Sequence, residues 1–283
     1  MTRRVGFAAI AIPLAIVIVW AGGWALAGLL MIAAALGTRE LFHLAELRGI
    51  RPLRMVGVVA AVLPALGLQL ALTAPARFSW VVSSPVAIIA TFVVIFGIAT
   101  FMRAPEDRPL EAVAVTIFAA MYTGVLPASA FLIRHARWPT WSWAGAAITF
   151  LPLVVIWICD SAAMFGGRWI GGAKLVPSIS PNKTWAGAIT GSIVGTGAGV
   201  VYAVLVFPRL ALDVPIAAIA LFSLALTIVG QVGDLAESVI KREAGVKDSS
   251  ALIPGHGGVL DRLDSLYFVL PAAAIGYHLI GLT

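Results

Sequence analysis

The sequence predicts an all-α, polytopic transmembrane helix bundle, and two observations support this fold class. Of the 283 residues, 61% are hydrophobic and only 11% are charged, whereas a soluble domain carries about 25% charged residues. Four long apolar runs also contain no Asp, Glu, Lys or Arg: Val56–Leu72, Val86–Phe101, Ala144–Ile158 and Ile216–Val229. Because lipid offers the backbone no hydrogen bonds, such runs form helices rather than open strands.

Turn and charge signals divide the chain into about nine spans, since roughly 20 apolar residues cross a hydrocarbon core. The first two spans are short and are joined by Ala21-Gly22-Gly23, so a tight hairpin and one bent element both stay open. We expect the first span to be retained rather than cleaved, because apolar residues resume at Trp24. The expected helices are 5–20, 22–44, 54–74, 80–101, 111–134, 144–166, 185–207, 215–240 and 260–282.

Positive charge predicts the orientation of these spans. If the N-terminus and the connections after even-numbered spans share one side, that side holds 15 of the 19 Lys and Arg residues. Cytoplasmic loops carry such an excess, so we expect a cytoplasmic N-terminus in a multi-pass protein of the cell membrane. The net charge of +6 then follows from topology and from attraction to membrane lipids, and no nucleic-acid partner is expected.

Polar residues concentrate in the second half of the chain, whereas the first half resembles ordinary membrane helix. We therefore expect residues 1–140 to form a scaffold that gives access to lipid. Residues 141–283 are expected to carry a catalytic site at the cytoplasmic face. Three polar segments lie at predicted helix ends, namely Asp160–Arg168, Ser178–Trp185 and Gly233–Asp264.

The eighth predicted helix continues into a polar face. Asp234, Glu237, Ser238 and Lys241 follow the spacing i, i+3, i+4, i+7, which places them on one side of a helix. A carboxylate at this depth usually faces a partner or a water-filled cavity. One alternative is an ion pair between Asp234 and a lysine of another helix that only stabilises packing.

Two further carboxylates, Asp261 and Asp264, are spaced i, i+3 at the start of the last predicted helix. Like charges this close repel unless a cation lies among them. Together with Asp234 they form a set of hard oxygen ligands that suits Mg²⁺, with phosphate oxygens and water completing the shell. A second cation is left open. The alternative is that these carboxylates pair with Arg242 and Arg262.

The glycine-rich segment Pro254–Gly258 precedes the last helix. Gly257 and Gly258 permit a close approach of the backbone to a ligand, and N–H groups at a helix start attract phosphate. His256 can hydrogen-bond to such a phosphate, or it can merely cap the loop.

Two other polar segments leave a choice of roles. Before the seventh helix, Lys183 can contact a phosphate, or it can extend its charge to the interface while Ser180 or Thr184 caps the helix. Asp160 ends an apolar run, and the glycine-rich, cationic stretch Phe165–Lys174 follows it. The alternative for that stretch is a simple turn.

At these residues the sequence resembles the phosphatidate cytidylyltransferase, or CDP-diglyceride synthase, family. The signature of that family prescribes twelve residues over 27 positions, and this chain carries all of them. The segments Ser180–Thr184 and Gly233–Ser238 are similar to the family as well. The matching signature residues are Ser238, Lys241, Arg242, Lys247, Asp248, Pro254, His256, Gly257, Gly258, Asp261, Arg262 and Asp264.

The resemblance implies a nucleotidyltransferase that converts CTP and phosphatidic acid into CDP-diacylglycerol and pyrophosphate with Mg²⁺. The attacking lipid phosphate is already ionised, so catalysis depends on positioning and charge stabilisation rather than on a general base. CTP, phosphatidic acid and membrane lipids are the expected partners, and a homodimer is left open.

Spacing and resemblance together suggest roles for the polar residues. Asp234, Asp261 and Asp264 are expected to bind the metal, and Asp160 and Asp248 to orient cations or the ribose. Phosphates of CTP or lipid are expected to contact Lys183, Lys241, Arg242, Lys247 and Arg262. Hydrogen bonds and close backbone approach are expected from Ser180, Thr184, Ser238, His256, Gly257 and Gly258.

Two rival functions are compatible with parts of the sequence. A CTP-dependent kinase, or a cytidylyltransferase for another membrane lipid, would use similar residues but release different products. A cation-coupled transporter would predict inverted repeats with interrupted helices in both halves. The polar segments lie in one half only, which favours an enzyme.

Overall fold

The computed structural model describes residues 13–83, 85–252 and 257–282, and helices dominate all three ranges. This confirms the predicted all-α class. Residues 13–21 are helical and end at Gly22, whose φ is +64°. The helices that follow are α1 Gly23–Glu46, α2 Arg54–Thr73, α3 Pro75–Ser83, α4 Val86–Met102, α5 Pro109–His135, α6 Trp143–Trp169, α7 Trp185–Val206, α8 Ile216–Glu243, α9 Leu260–Leu263 and α10 Leu266–Leu279.

Six of these helices, namely α1, α2 and α5–α8, are long and apolar enough to cross a membrane, and α4 is a shorter apolar helix. A polytopic membrane bundle is therefore confirmed. The expected span 80–101 differs, because α3 ends at Ser83 and α4 begins after Pro85. The expected span 260–282 is divided into α9 and α10. Of the expected first span 5–20, residues 5–12 lie outside the described part of the chain.

The chain forms two compact units. Unit 1 comprises Met1–Leu132 with Glu243–Arg262, and unit 2 comprises Ile133–Arg242 with Leu263–Thr283. The functional division at residue 140 stays a prediction.

Unit 1 packs α2, α4 and α5 around a core of small and branched residues. Ile95, Ala99 and Val113 are buried together there. The helix α5 contains a π-helical turn at Ala120–Val125. Within that turn, the Thr123 hydroxyl lies 2.6 Å from the Thr38 hydroxyl of α1, which ties the two helices together through a buried hydrogen bond.

In unit 2, α7 packs closely on α6 through a stripe of glycines at every fourth residue. Gly187, Gly191, Gly195 and Gly199 are all buried. A Cβ atom on Gly191 would lie 2.9 Å from the Cys159 carbonyl oxygen and 2.9 Å from the Ala163 Cβ of α6. Small residues at this spacing let helix backbones approach each other, which is a common basis of packing in membranes.

A β-hairpin that the sequence did not predict connects α6 to α7. Its strands are β1 Lys174–Val176 and β2 Ser180–Thr184, and Lys174 pairs with Thr184. The helix α6 continues to Trp169, three residues beyond its expected end, so the alternative of a simple turn is wrong for 165–169. The turn begins at Gly171 and Gly172, whose φ angles are +67° and +87°. The hairpin determines where Lys183 lies.

Candidate active site

An ion pair between Lys183 of β2 and Asp234 of α8 lies at the centre of the polar cluster in unit 2. The Nζ atom of Lys183 is 2.6 Å from Oδ2 of Asp234, and the two side chains are 28% and 27% exposed. The structure therefore contains the lysine pairing that the sequence left open as an alternative. The lysine comes from a hairpin strand, however, and not from a helix.

Two more carboxylates belong to this cluster. Asp264 lies in the turn between α9 and α10, outside the spanning helices, and its Oδ1 accepts a 2.6 Å hydrogen bond from the backbone N–H of Ser265. Burial, together with the negative charge of Asp234, raises the pKa of Asp264 to about 6. Asp160 of α6 interacts electrostatically with Asp264, Asp234 and Lys183. Asp264 interacts with both Lys241 and Lys183, so all three carboxylates have an electrostatic interaction with Lys183.

The polar face of α8 continues along the helix beyond Asp234. The Ser238 hydroxyl donates a long 3.5 Å hydrogen bond to Asp234 Oδ1. One turn further, Lys241 Nζ lies 3.1 Å from Glu237 Oε1, and the side chains are 10% and 1% exposed. Separating a pair this deeply buried would leave each charge uncompensated. The two side chains are therefore held together.

In unit 1, Asp261 organises the segment that follows α8. We call residues 244–252 and 257–262 the motif loop. Oδ2 of Asp261 accepts hydrogen bonds from the N–H of Ser249 at 2.8 Å, the hydroxyl of Ser249 at 2.7 Å and the N–H of Gly258 at 2.8 Å. A Cβ atom on Gly257, whose φ is +79°, would lie 2.6 Å from the same oxygen. The glycine therefore permits a conformation that most residues would not.

Sequence reasoning missed Glu40, which lies on α1 and is only 6% exposed. Its carboxylate accepts hydrogen bonds from Ser250 Oγ at 2.7 Å, Val259 N at 3.0 Å and Leu260 N at 2.8 Å. The first half of the chain is therefore more than ordinary membrane helix. The available signal was a carboxylate inside an apolar helix, since such residues usually have a partner.

The remaining expected residues have varied surroundings. Thr184 caps α7, because its Oγ1 accepts a 3.1 Å hydrogen bond from Gly187 N. The Nε of Arg242 donates to the Ile179 carbonyl oxygen at 3.2 Å. Ser180 is partly buried in β2, Gly258 is buried, and Lys247, Asp248 and Arg262 are exposed. His256 lies outside the described residues, as do Pro254 and Gly255.

The donor chemistry of the cluster suits a hard cation, because Asp234 and Asp264 offer carboxylate oxygens. Burial, and then the negative charge of Asp234, raise the pKa of Asp264. Among residues 13–83, 85–252 and 257–282, no group of three or more Asp, Glu, His or Cys side chains is placed to hold a metal ion. The magnesium ion stays a prediction.

Known proteins resemble this chain in whole or in part. A phosphatidate cytidylyltransferase of Brucella suis biovar 1 is 51% identical over 130 residues, which are 46% of this chain and 45% of that protein. The chain thus spans about half the length of that relative. Proteins of the same name from Synechocystis sp. and Bacillus subtilis are both 31% identical, over 95% and 84% of this chain and 94% and 84% of their own lengths.

The match also extends to a family model. The model described as the cytidylyltransferase family matches residues 2–280. This range includes nearly all of both units and every residue of the signature motif. Because the match covers nearly the whole chain, the protein belongs to the cytidylyltransferase family, as the motif predicted.

Proposed function

We propose that this protein is an integral membrane nucleotidyltransferase that converts CTP and phosphatidic acid into CDP-diacylglycerol and pyrophosphate. The observation that supports it most directly is the cluster of Asp160, Asp234, Asp264 and Lys183 in a membrane protein of this family. Such a cluster offers carboxylates to a metal nucleotide and a cation to its phosphates. The relatives bear the name of the same activity.

The reaction is a displacement at phosphorus. A lipid phosphate oxygen forms a bond to the α-phosphorus of CTP, and the bond between that phosphorus and the bridging oxygen of the β-phosphate breaks. Pyrophosphate leaves with the electron pair. Because the attacking oxygen is already ionised, no proton has to be removed, and the protein contributes alignment and charge stabilisation.

Asp234 and Asp264 are the proposed metal ligands, and Asp261 is the predicted third. Bound Mg²⁺ would neutralise phosphate charge and orient the α-phosphate. Lys183 is paired with Asp234 in the structure. We propose that a bound nucleotide competes with Asp234 for this lysine, so that Asp234 is released to the metal as Lys183 moves to phosphate.

Lys241, Arg242, Lys247 and Arg262 are proposed to complete the phosphate contacts. Lys241 is held by Glu237 in a buried pair, so it acts as a fixed charge and not as a mobile side chain. Arg242 donates to a backbone carbonyl through Nε, which orients the guanidinium. Ser180, Thr184, Ser238 and His256 are proposed to add hydrogen bonds, and Asp160 and Asp248 to orient cations or the ribose.

We propose that the site opens at the cytoplasmic face of the cell membrane. The support is the excess of Lys and Arg on one side of the predicted spans. There, CTP would arrive from water and phosphatidic acid would arrive sideways from the bilayer. Other membrane lipids surround the spans, and the homodimer stays a prediction.

The test is a purified full-length protein in detergent micelles with CTP labelled at the α-phosphate. Phosphatidic acid should trigger pyrophosphate release and move the label into lipid. Release of CDP with transfer of the γ-phosphate would instead identify a kinase. Label-free lipid and intact CTP would contradict both.

The metal assignment has its own test in Asp261→Asn. At saturating Mg²⁺ the variant should lose at least about a hundredfold in rate, the scale of a lost charge-stabilising group. The exposed Glu106→Gln serves as the control and should keep the wild-type rate. If Asp261→Asn keeps that rate too, Asp261 is not a ligand.

A further inference from the structure

Glu40 connects two distant parts of the sequence within unit 1. It is separated from Val259 by 219 residues, and it is buried at 6% exposure where α1 meets the motif loop. Its two oxygens divide their partners. Oε1 accepts from the Ser250 hydroxyl and the Val259 N–H, and Oε2 accepts from the Leu260 N–H. The carboxylate thus holds both described parts of the loop at once.

Ser249 links this carboxylate to Asp261. The Oγ atom of Ser249 lies 3.1 Å from Glu40 Oε2 and 2.7 Å from Asp261 Oδ2. A hydroxyl has one proton to donate, and the shorter distance favours Asp261. Ser249 is 2% exposed, so water does not compete freely for these contacts. Glu40, Ser249 and Asp261 form one continuous polar network.

The packing around the network leaves little room for rearrangement. A Cβ atom on Gly258 would overlap both the Ser249 hydroxyl and the Glu40 carboxylate. Leu260, whose N–H is a donor to Glu40, is itself 1% exposed. Side chains held by packing and by several hydrogen bonds position functional groups more accurately than mobile ones.

We propose that Glu40 is a positioning residue for the transfer reaction: it holds the motif loop, and through it Asp261 and Arg262, in the geometry that catalysis needs. This inference rests on the proposed function, because the loop carries the signature residues assigned there. Glu40 does not itself contact substrate in this proposal. Its effect is transmitted through the backbone of Val259 and Leu260.

The replacement Glu40→Gln isolates this role. The amide has nearly the same shape, but its NH₂ group cannot accept a hydrogen bond. If the NH₂ takes the place of Oε1, it faces the Val259 N–H, and if it takes the place of Oε2, it faces the Leu260 N–H. One backbone donor therefore loses its acceptor in either orientation. Glu46→Gln is the matched control, because Glu46 lies on the same helix but pairs with the exposed Arg54.

Two readouts are needed. Hydrogen exchange of peptides covering residues 257–262 reports the loop directly and does not depend on any activity. We expect faster exchange there in Glu40→Gln and wild-type exchange in Glu46→Gln. Steady-state kinetics should show kcat reduced roughly ten- to hundredfold, the scale of a displaced catalytic group, with KM for CTP changed less than about threefold.

Ser250→Ala provides a second variant if Glu40→Gln does not fold. It removes one donor and leaves the carboxylate, so a smaller change in the same two readouts is expected. Wild-type exchange and wild-type kcat in the variant that folds would overturn the proposal. Faster exchange with unchanged kcat would also overturn it, since the loop would then be held for stability alone. A wild-type protein without cytidylyl transfer would refute the proposed function, while the exchange comparison would still test the Glu40 contact.

Discussion

Lys183 and Asp234 form an ion pair of 2.6 Å between a hairpin strand and a spanning helix. The pair places Lys183 beside a carboxylate that the proposed mechanism assigns to the metal. Each residue therefore neutralises the charge of the other when substrate is absent. The effects of substitutions at the two positions on catalysis should consequently be non-additive.

The first prediction concerns this dependence. Lys183→Gln and Asp234→Asn should each lower kcat/KM by more than about tenfold, and the double variant should be no worse than the stronger single one. The assay is labelled lipid formation at several Mg²⁺ concentrations. Arg108→Gln is the control, because its 2.8 Å bond to Glu111 is exposed and such pairs contribute little. Fully additive losses would contradict the coupling.

The second prediction uses the raised pKa of Asp264. Folding raises this pKa from 3.8 to about 6, so the folded protein binds the proton more tightly than the unfolded chain. The ionised carboxylate therefore destabilises the fold above about pH 6. Without divalent metal, Asp264→Asn should melt at a higher temperature than the wild type at neutral pH, and the difference should shrink as the pH falls through 6 towards 4.

The same variant should lose activity, because an uncharged amide oxygen binds Mg²⁺ less strongly than a carboxylate. Thermal unfolding followed by circular dichroism measures the predicted difference in melting temperature, with Glu106→Gln as a surface control. If Asp264→Asn is less stable than the wild type at neutral pH, the ionised Asp264 carboxylate does not destabilise the fold.

The third prediction concerns the glycine stripe of α7. Gly191→Ala should destabilise unit 2 by about 1–3 kcal/mol, the range for overpacking, because its Cβ would overlap α6. Gly197→Ala is the matched control on the same helix, where the new Cβ would meet open space. It should be neutral or stabilising by up to about 1 kcal/mol. Equal melting temperatures for the two variants would argue against close packing of α6 and α7.

The fourth prediction separates capping from catalysis at Thr184. Thr184→Val removes the acceptor for Gly187 N and should cost about 1 kcal/mol of stability, whereas Thr184→Ser should keep the cap. If the hydroxyl also contacts substrate, Thr184→Val should raise KM for CTP in addition. Loss of stability with unchanged KM would leave Thr184 as a cap alone.

The sequence predicted the helices well where the apolar runs are long. Runs such as Ala144–Ile158 and Ile216–Val229 are free of charged residues. In lipid, the backbone of such a run satisfies its hydrogen bonds by forming a helix. It predicted ends less well. The last span is interrupted at Asp264 and Ser265, because polar residues there provide hydrogen bonds that compete with the helix.

The site was predicted in part. The spacing of Asp234, Ser238 and Lys241 was readable because contacts along one helix are local. The pairing of Lys183 was not, since it depends on a short hairpin with weak strand signals. Glu40 was visible as a carboxylate inside an apolar helix, but its partners could not be predicted. They lie more than 200 residues away in sequence, and local pattern carries no information on such contacts.

The separation between Glu40 and its donors has a consequence for how the protein is made. The ribosome adds Glu40 219 residues before it adds Val259, so α1 is made while the eventual partners of Glu40 do not yet exist. The Glu40 side chain must remain hydrated, or form transient hydrogen bonds with other groups, while the intervening helices are translated. Locking of the loop is therefore a late maturation step, and nascent chains that stall before residue 259 would lack the backbone donors through which Glu40 holds it.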